Sequence, residues 1–277
     1  MKKSILAVLT LTLTLVLLTG CGAKETSTTG ENINNKDTKT IIVGASPNPH
    51  SEILNFAKEK LKDKGINVEV KEFTDYVIPN KALNDKELDC NYFQHEPYLI
   101  DFNEKNNTKL ISVGKIHGEP LGAYSNKIKS LENIKDKAVI AIPNDSSNGS
   151  RALKLLEKQN LIKLKDNTAA IQTEKDITEN NKNLEIKFVE AVQLPRLLDE
   201  VDIAIINGNY ALASNLDTNS VIFSEDINDI DKYVNIIATR DDNKDDENIK
   251  ALVEFLKSDE TKKFINEKYG KAILPAK

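Results

Sequence analysis

The sequence is poor in the residues that mark disulfide-rich, metal-binding or catalytic proteins. It has two cysteines, Cys21 and Cys90, no tryptophan and one methionine, Met1. Two cysteines cannot supply a disulfide framework, so stability must come from a hydrophobic core, and we interpret Cys90 as a small core residue. The chain also has no Walker A, G-x-S-x-G or H-E-x-x-H sequence. These absences argue against an enzyme, and we expect no catalytic residue and no cofactor.

Basic residues are also fewer than acidic residues. The chain has 38 Lys and Arg against 43 Asp and Glu, a formal net charge of −5. A protein that binds nucleic acid or an anionic membrane surface through its body normally carries a basic surface. The composition therefore argues against both as the main partner.

The long apolar run at the N-terminus is too short to cross a bilayer. Lys2 and Lys3 precede residues 5–18, which carry no charge, whereas a membrane-spanning helix needs about 20 apolar residues. The sequence LTGC at 18–21 then places small residues before a cysteine and resembles the lipobox of bacterial lipoproteins. We predict a signal peptide over 1–20 and a lipidated, for example palmitate-carrying, Cys21 that anchors the protein on the extracytoplasmic side of the cell membrane.

Residues 22–39 are polar and bury too little apolar surface to fold alone. Together with Cys21 they are predicted to form a flexible tether over 21–39, with an end-to-end distance of roughly 20–25 Å.

A strand-then-helix rhythm begins at residue 40. TIIVGA at 40–45 is apolar and rich in β-branched residues, and Ile53, Leu54, Ala57 and Leu61 then recur at helical spacing. The rhythm returns at 137–160 and 202–216. This pattern predicts an α/β fold with mainly parallel strands. Near the C-terminus, 243–269 is predicted to form two helices, the second capped by Ser258.

Polar and aromatic segments follow or end several of the apolar strands. Ligands in open α/β sheets bind beyond the carboxyl ends of strands, so these segments are candidates for a binding site. They are FTDYVIPN (73–80), DCNYFQH (89–95) with Pro97 and Tyr98, PNDSSNGSRAL (143–153) and AIINGNY (204–210).

Arg151 is the strongest single candidate. We expect a helix to begin near Ser150, and the free N–H groups at such an end attract an anion. An arginine there opposes the helix dipole unless an anion compensates it, and its planar fork suits a carboxylate. The alternative is an exposed or acid-paired arginine.

Five aromatic rings fall within 23 residues of a chain that is otherwise poor in them. Polar neighbours favour a pocket wall over a sealed core, although core packing remains the alternative. The rings are those of Tyr76, Tyr92, Phe93, His95 and Tyr98.

Asn207 and Asn235 end or interrupt apolar strands and offer both a donor and an acceptor, as binding of an ammonium and a carboxylate requires. A role in a turn is the alternative for such residues, and we prefer it for Asn209. A metal site could use His50, His95 and His117, but their spacing matches no ligand motif, so we predict no metal.

Taken together, the motifs resemble the NlpA-type family of lipoproteins, the methionine-binding components of bacterial ABC importers. The resemblance runs in order across residues 40–277. It differs at Ser146, where the family usually has proline, and at Cys90, where a small apolar residue is common. The motifs are FTDYVIPNKAL, DCNYFQHEPYL, GEPLGAYSNKIKSL, IPNDSSNGSRALKLL, QLPRLLDEVDIAIINGNYAL and YVNIIATRDDNK.

The resemblance implies a two-lobed periplasmic-binding-protein (type II) fold in which the chain crosses between lobes twice. The crossings would lie near 122–124 and 233–235, which gives lobe one as 40–123 plus 236–277 and lobe two as 124–235. The side-chain pocket would be lined by Tyr76, Phe93, His95 and Tyr98. The amino-acid head group would be held by Asn148, Arg151, Asn207 and Asn235.

The implied function is capture of methionine and its delivery to an ABC permease driven by a cytoplasmic ATPase. L-methionine, D-methionine and a methionine dipeptide all remain open as the ligand, and we expect a monomer with no nucleic-acid partner. The alternatives are a zinc-binding lipoprotein and a surface adhesin or immunogenic lipoprotein without a transport role.

Overall fold

A computed structural model describes residues 39–166, 168–226 and 230–277. The predicted signal peptide, Cys21 and the tether up to residue 38 lie outside the described residues. Within the described ranges, no helix is both long enough and apolar enough to cross a membrane.

The described chain alternates strands with helices, as the sequence pattern predicts. The strands are β1 (Thr40–Ala45), β2 (Asn67–Glu72), β3 (Cys90–His95), β4 (Leu110–Gly118), β5 (Gly122–Tyr124), β6 (Val139–Pro143), β7 (Lys163–Leu164), β8 (Ile177–Glu179), β9 (Glu185–Val189), β10 (Ile203–Ile206), β11 (Phe223–Ser224), β12 (Asn235–Arg240) and β13 (Leu274–Pro275). The α-helices are α1 (Glu52–Lys62), α2 (Ile78–Asn84), α3 (Glu96–Asn106), α4 (Ser146–Lys158), α5 (Gly208–Ala213), α6 (Glu247–Leu256) and α7 (Asp259–Tyr269).

The strands form two main sheets. The larger has the order β13-β4-β12-β3-β1-β2 and the smaller the order β11-β5-β10-β6-β9, while β7 and β8 form a separate pair. Pairs β1–β2, β1–β3, β6–β9 and β6–β10 are parallel. The expectation of mainly parallel strands is wrong, because β5, β11, β12 and β13 all pair antiparallel with their neighbours.

Apolar periodicity places the helices on the sheets. Ile53, Leu54, Ala57 and Leu61 of α1 are fully buried against the larger sheet, as their spacing predicts. The two C-terminal helices are present as predicted, and the Ser258 side chain accepts from the Thr261 N–H at the start of α7. Each sheet has its own buried clusters of aliphatic side chains.

Cys90 is fully buried in the core beneath the larger sheet, as interpreted from the sequence. Burial raises the pKa of its thiol well above the usual range, so the sulfur is inert as a nucleophile.

Two segments connect the sheets. Residues 119–121 lead from β4 into β5, and residues 225–234, described except for 227–229, lead from β11 into β12. The segments contact each other, because Glu225 N–H donates to the Leu121 carbonyl at 3.0 Å and Leu121 N–H donates to Glu225 Oε2 at 2.9 Å.

Candidate functional site

A small cavity lies where the carboxyl ends of β3, β6 and β10 meet the two connecting segments. Its volume is about 20 Å³, enough for about one water molecule and far less than an amino acid occupies. Both sheets contribute to its wall. The lining residues are Tyr76, Phe93, Gln94, His95, Tyr98, Glu119, Asn148, Arg151, Gly208, Asn209 and Asn235.

Seven of the eight predicted ligand-binding residues therefore line one cavity. The eighth, Asn207, is not in the wall itself but donates from Nδ2 to Asn148 Oδ1 at 3.0 Å. The structure thus brings together residues that are widely separated in the sequence.

The aromatic residues divide between two faces of β3. Phe93 and Tyr98 pack with Tyr76 at ring-centroid distances of 5.9 and 5.8 Å and form one wall of the cavity. Tyr92 points to the opposite face, where it is fully buried and contacts His117 through its hydroxyl. The alternation of a β-strand separates these neighbours, so Tyr92 belongs to the core and not to the wall.

His95 links the wall to the smaller sheet. Its Nδ1 accepts from the Tyr98 N–H at 3.2 Å, which places the proton of the neutral ring on Nε2, and Nε2 lies 3.1 Å from Asn148 Oδ1. Burial lowers the pKa of His95 to about 3, with a further contribution from the charge of Arg151. His95 is therefore a neutral hydrogen-bond donor at physiological pH.

The helix that carries Asn148 and Arg151 begins earlier than predicted. α4 starts at Ser146 and is capped by Asp145, which accepts from the Asn148 N–H at 2.8 Å. The predicted start near Ser150 is wrong because the Asp-Ser-Ser-Asn sequence forms the cap and the first turn. Arg151 consequently lies one turn inside the helix and not at its first free N–H groups.

Arg151 is almost fully buried and paired with an acid. Its Nε donates to Glu225 Oε1 at 2.7 Å, and its Nη2 donates to Glu225 Oε2 and to the Glu119 carbonyl. The guanidinium lies 4.3 Å from the centroid of the Tyr233 ring. Burial alone would lower the pKa of Arg151, but Glu225 outweighs it and the pKa is raised. Among the described residues, the hydrogen bonds of this guanidinium use Nε and Nη2, which leaves Nη1 for a further acceptor.

Glu119 is a buried carboxylate to which the sequence pattern assigns no role. Its Oε1 accepts from His117 Nε2 at 2.8 Å, and its Oε2 accepts from the Asn209 N–H at 2.7 Å. Burial would raise the pKa of Glu119, but the hydrogen bond from His117 and the nearby histidines lower it overall. Its position directly after β4, within the GEPLG motif, could have marked it as a candidate, but the sequence does not show which residues it contacts.

Asn235 joins this network at the start of β12, opposite both His95 and His117. Its Oδ1 lies 2.9 Å from His50 Nε2, so among the described residues its Nδ2 remains for another acceptor. Burial lowers the pKa of His50 to about 4.

The histidines do not assemble as the zinc alternative expects. His50 and His117 lie with Glu119, their ligating atoms within 4.8 Å of one another, while His95 is bonded to Asn148 instead. Hydrogen bonds from His117 to Glu119 and between His50 and Asn235 already use the Nε2 atoms of both histidines.

Some buried polar atoms of the described residues lack a hydrogen-bond partner. In the described part of the chain, Ser147 Oγ and Asn207 Oδ1 are buried without a hydrogen bond, as is His50 Nδ1. An unpaired buried acceptor costs about 1–3 kcal/mol, so such atoms indicate where a ligand group would be stabilised. Asn209, by contrast, is held by Tyr76, whose hydroxyl donates to its Oδ1 at 2.5 Å.

Comparison with known proteins identifies similar chains. A family model described as NlpA lipoprotein matches residues 41–277. A D-methionine-binding lipoprotein MetQ from Salmonella typhi is 43% identical over 257 residues, covering 91% of this chain and 90% of that protein. A methionine-binding lipoprotein MetQ from Bacillus subtilis is 39% identical over 99% of both chains.

Comparison with solved structures identifies proteins that share the fold of this chain. A nutrient binding protein from Burkholderia cenocepacia bound to methionine has a TM-score of 0.82 and 42% identity, covering 86% of this chain and 100% of that chain. An ABC transporter periplasmic substrate-binding protein from Coxiella burnetii has a TM-score of 0.81 and 39% identity, with 85% and 100% covered. The fold is that of the periplasmic substrate-binding proteins, and these relatives are binding proteins, not enzymes.

Proposed function

Because the chain belongs to the NlpA lipoprotein family, we propose that it captures methionine in the cavity between its two sheets and delivers it to an ABC permease. The observation that supports this most directly is the cavity itself. It combines an aromatic wall, a buried arginine and a nearby unpaired acceptor, which matches a ligand with an apolar side chain, a carboxylate and an ammonium group.

The head group is assigned by donor and acceptor type. The ligand carboxylate takes the Nη1 group of Arg151 and the Nδ2 group of Asn235, and the ammonium meets Asn207 Oδ1. Asn148, which is bonded to His95, holds the Asn207 amide through its Oδ1 atom. The thioether side chain packs on Tyr76, Phe93 and Tyr98, since sulfur makes favourable contacts with aromatic rings.

Ligand entry requires the two sheets to separate, because about 20 Å³ cannot admit an amino acid. We propose that the sheets form the cores of two lobes that correspond to the predicted division into residues 40–123 plus 236–277 and residues 124–235. All of β5 (Gly122–Tyr124) belongs with the smaller sheet, and Asn235 of β12 belongs with the larger one. Motion would occur at residues 119–121, 225–226 and 230–234 of the connecting segments. Micromolar to nanomolar affinity requires about 8–12 kcal/mol, and one charge-assisted hydrogen bond supplies only about 1.5–3 kcal/mol. Contacts from both lobes are therefore needed.

The anchor completes the proposal. A signal peptide over 1–20, a lipidated Cys21 and a tether over 21–39 would keep a monomeric binding protein on the extracytoplasmic face of the membrane. Tethering raises the effective concentration of the loaded protein at its permease, which a cytoplasmic ATPase drives.

Calorimetric titration of residues 22–277 tests the function. L-methionine, D-methionine and glycyl-methionine form the ligand panel, and leucine is the side-chain control. We expect micromolar or tighter binding of at least one methionine compound and much weaker binding of leucine. No binding of any methionine compound would contradict the proposal.

Two arginine variants test the head-group assignment. Arg151→Ala should weaken methionine binding roughly tenfold to hundredfold through the loss of a charge-assisted hydrogen bond. Since it also leaves Glu225 without its cation, Arg151→Lys serves as a variant that retains the charge but not the fork. The exposed Arg196→Ala is the matched control and should bind as the wild type does. Unchanged affinity in both Arg151 variants would show that the assignment is wrong.

A further inference from the structure

We propose that Asp145 is a positioning residue that makes the site selective for a ligand with an amino group, by fixing the orientation of two amides. The chain of bonds runs from Asp145 through Asn148 to Asn207. The inference rests on the proposed function, because it concerns the same cavity, but it assigns a role to a residue outside the predicted ligand contacts.

The first step is the orientation of Asn148. Its Nδ2 lies 3.1 Å from both carboxylate oxygens of Asp145. Burial raises the pKa of Asp145, but both of its carboxyl oxygens lie against N–H groups of Asn148 and act as acceptors. An accepting carboxylate holds the NH₂ end of the amide and excludes the carbonyl end. Asn148 Oδ1 must therefore face the cavity side.

The second step confirms that orientation independently. His95 Nε2 carries the ring proton, because Nδ1 accepts from the Tyr98 N–H. A donor at Nε2 requires an acceptor, and the atom it meets at 3.1 Å is Asn148 Oδ1. The carboxylate on one side and the imidazole on the other thus impose the same arrangement.

The third step concerns Asn207. Its amide also meets Asn148 Oδ1, at 3.0 Å, and must present Nδ2 to that oxygen. Its own Oδ1 is then the atom left buried without a partner. An ammonium group is the donor that such an acceptor binds most strongly, because the hydrogen bond is charge-assisted. If Asn148 were free to flip, its NH₂ group could face Asn207, whose Oδ1 would then accept from it. Asn207 would turn its Nδ2 towards the ligand, and the preference for an ammonium would be lost.

Asp145→Asn tests this chain of bonds. Asparagine still caps α4, since Asn and Asp are comparable at this position, but it offers both a donor and an acceptor and so releases Asn148. The ligands are L-methionine and 4-(methylthio)butanoic acid, which lacks the amino group. We expect the variant to lose roughly tenfold in affinity for methionine, with little change for the deamino acid.

Asp246→Asn is the matched control. Asp246 caps α6 in the same way, accepting from the Asn248 and Ile249 N–H groups, and lies outside the cavity wall. Its variant should bind both ligands as the wild type does. Asp145→Ser provides a second test, because serine can also cap the helix but has no carboxylate to orient Asn148.

The outcomes separate the two proposals. Equal losses for both ligands would mean that Asp145 acts only on the general stability of the site, and unchanged binding of both would mean that Asn148 needs no such support. Either result overturns the role of Asp145 while leaving methionine capture intact. A wild-type protein that binds no methionine would instead overturn both proposals.

Discussion

Two buried histidines couple stability to pH at the scale of single residues. The pKa of His95 is lowered to about 3 and that of His50 to about 4, mainly by burial. In the unfolded chain both take up a proton near pH 6.5. The unfolded state therefore binds more protons below that pH, and the free energy of unfolding should fall as pH drops from about 6.5 to about 4.

Guanidinium denaturation at a series of pH values measures this slope. His95→Gln keeps a donor towards Asn148 but cannot titrate, so we expect it to lose less stability than the wild type over the same pH range. A wild-type stability that stays level between pH 6.5 and pH 4 would contradict the prediction.

Residues of the aromatic wall could be predicted from the sequence because they lie close together in it, at strand and helix ends. The roles of Glu119 and Asp145 could not be predicted in this way. Glu119 acquires its role from Asn209, which is 90 positions away, and Asp145 acts through an amide whose partner His95 is 53 positions from Asn148. Such roles depend on tertiary contacts that no local pattern records.

The first turn of α4 is the element on which the site most depends, and Gly149 lets it approach β6. A Cβ atom at this position would lie 2.8 Å from the Pro143 carbonyl oxygen, and backbone cannot move aside cheaply. Gly149→Ala should therefore destabilise the protein, although alanine in a helix normally stabilises by about 1 kcal/mol. We expect a loss of about 1–3 kcal/mol, typical of overpacking, and weaker methionine binding.

Thermal denaturation and calorimetry would measure both effects. Asn266→Ala, at an exposed position of α7, makes a helical alanine without the close contact and should be neutral or slightly stabilising. A stabilised Gly149→Ala variant would show that α4 can move away from β6 without harm.

Helix faces were easier to predict than strand directions. The apolar stripe of α1 follows from spacing within a dozen residues. The direction of β12 does not, because it pairs with β3 and β4, which lie more than a hundred positions earlier. Because β12 enters the larger sheet between β3 and β4 and pairs antiparallel with both, this sheet contains parallel and antiparallel pairs.

At the scale of the whole molecule, two hydrogen bonds join the segment before α2 to α5 beside the cavity. The Tyr76 hydroxyl donates to Asn209, and the Tyr210 hydroxyl donates to the Thr74 carbonyl at 3.0 Å. Tyr210 does not line the cavity, so Tyr210→Phe removes a bond that favours closure without removing a ligand contact. The net loss of such a bond is about 0.5–1.5 kcal/mol. We expect methionine to dissociate roughly two- to tenfold faster.

Stopped-flow dissociation would measure the change, with Tyr124→Phe as the control. Tyr124 belongs to β5 and its hydroxyl takes no part in these bonds. Equal dissociation rates for the wild type and Tyr210→Phe would mean that closure does not depend on this bond.

The ring cluster around the cavity has an optical consequence. Tyr76, Tyr98, Tyr210 and Tyr233 are four of the seven tyrosines, and the chain has no tryptophan. Because the chain has no tryptophan, no indole dominates the ultraviolet emission or quenches tyrosine fluorescence by energy transfer. A change in the surroundings of these rings should therefore appear directly in tyrosine fluorescence, so that the unlabelled protein reports its own occupancy.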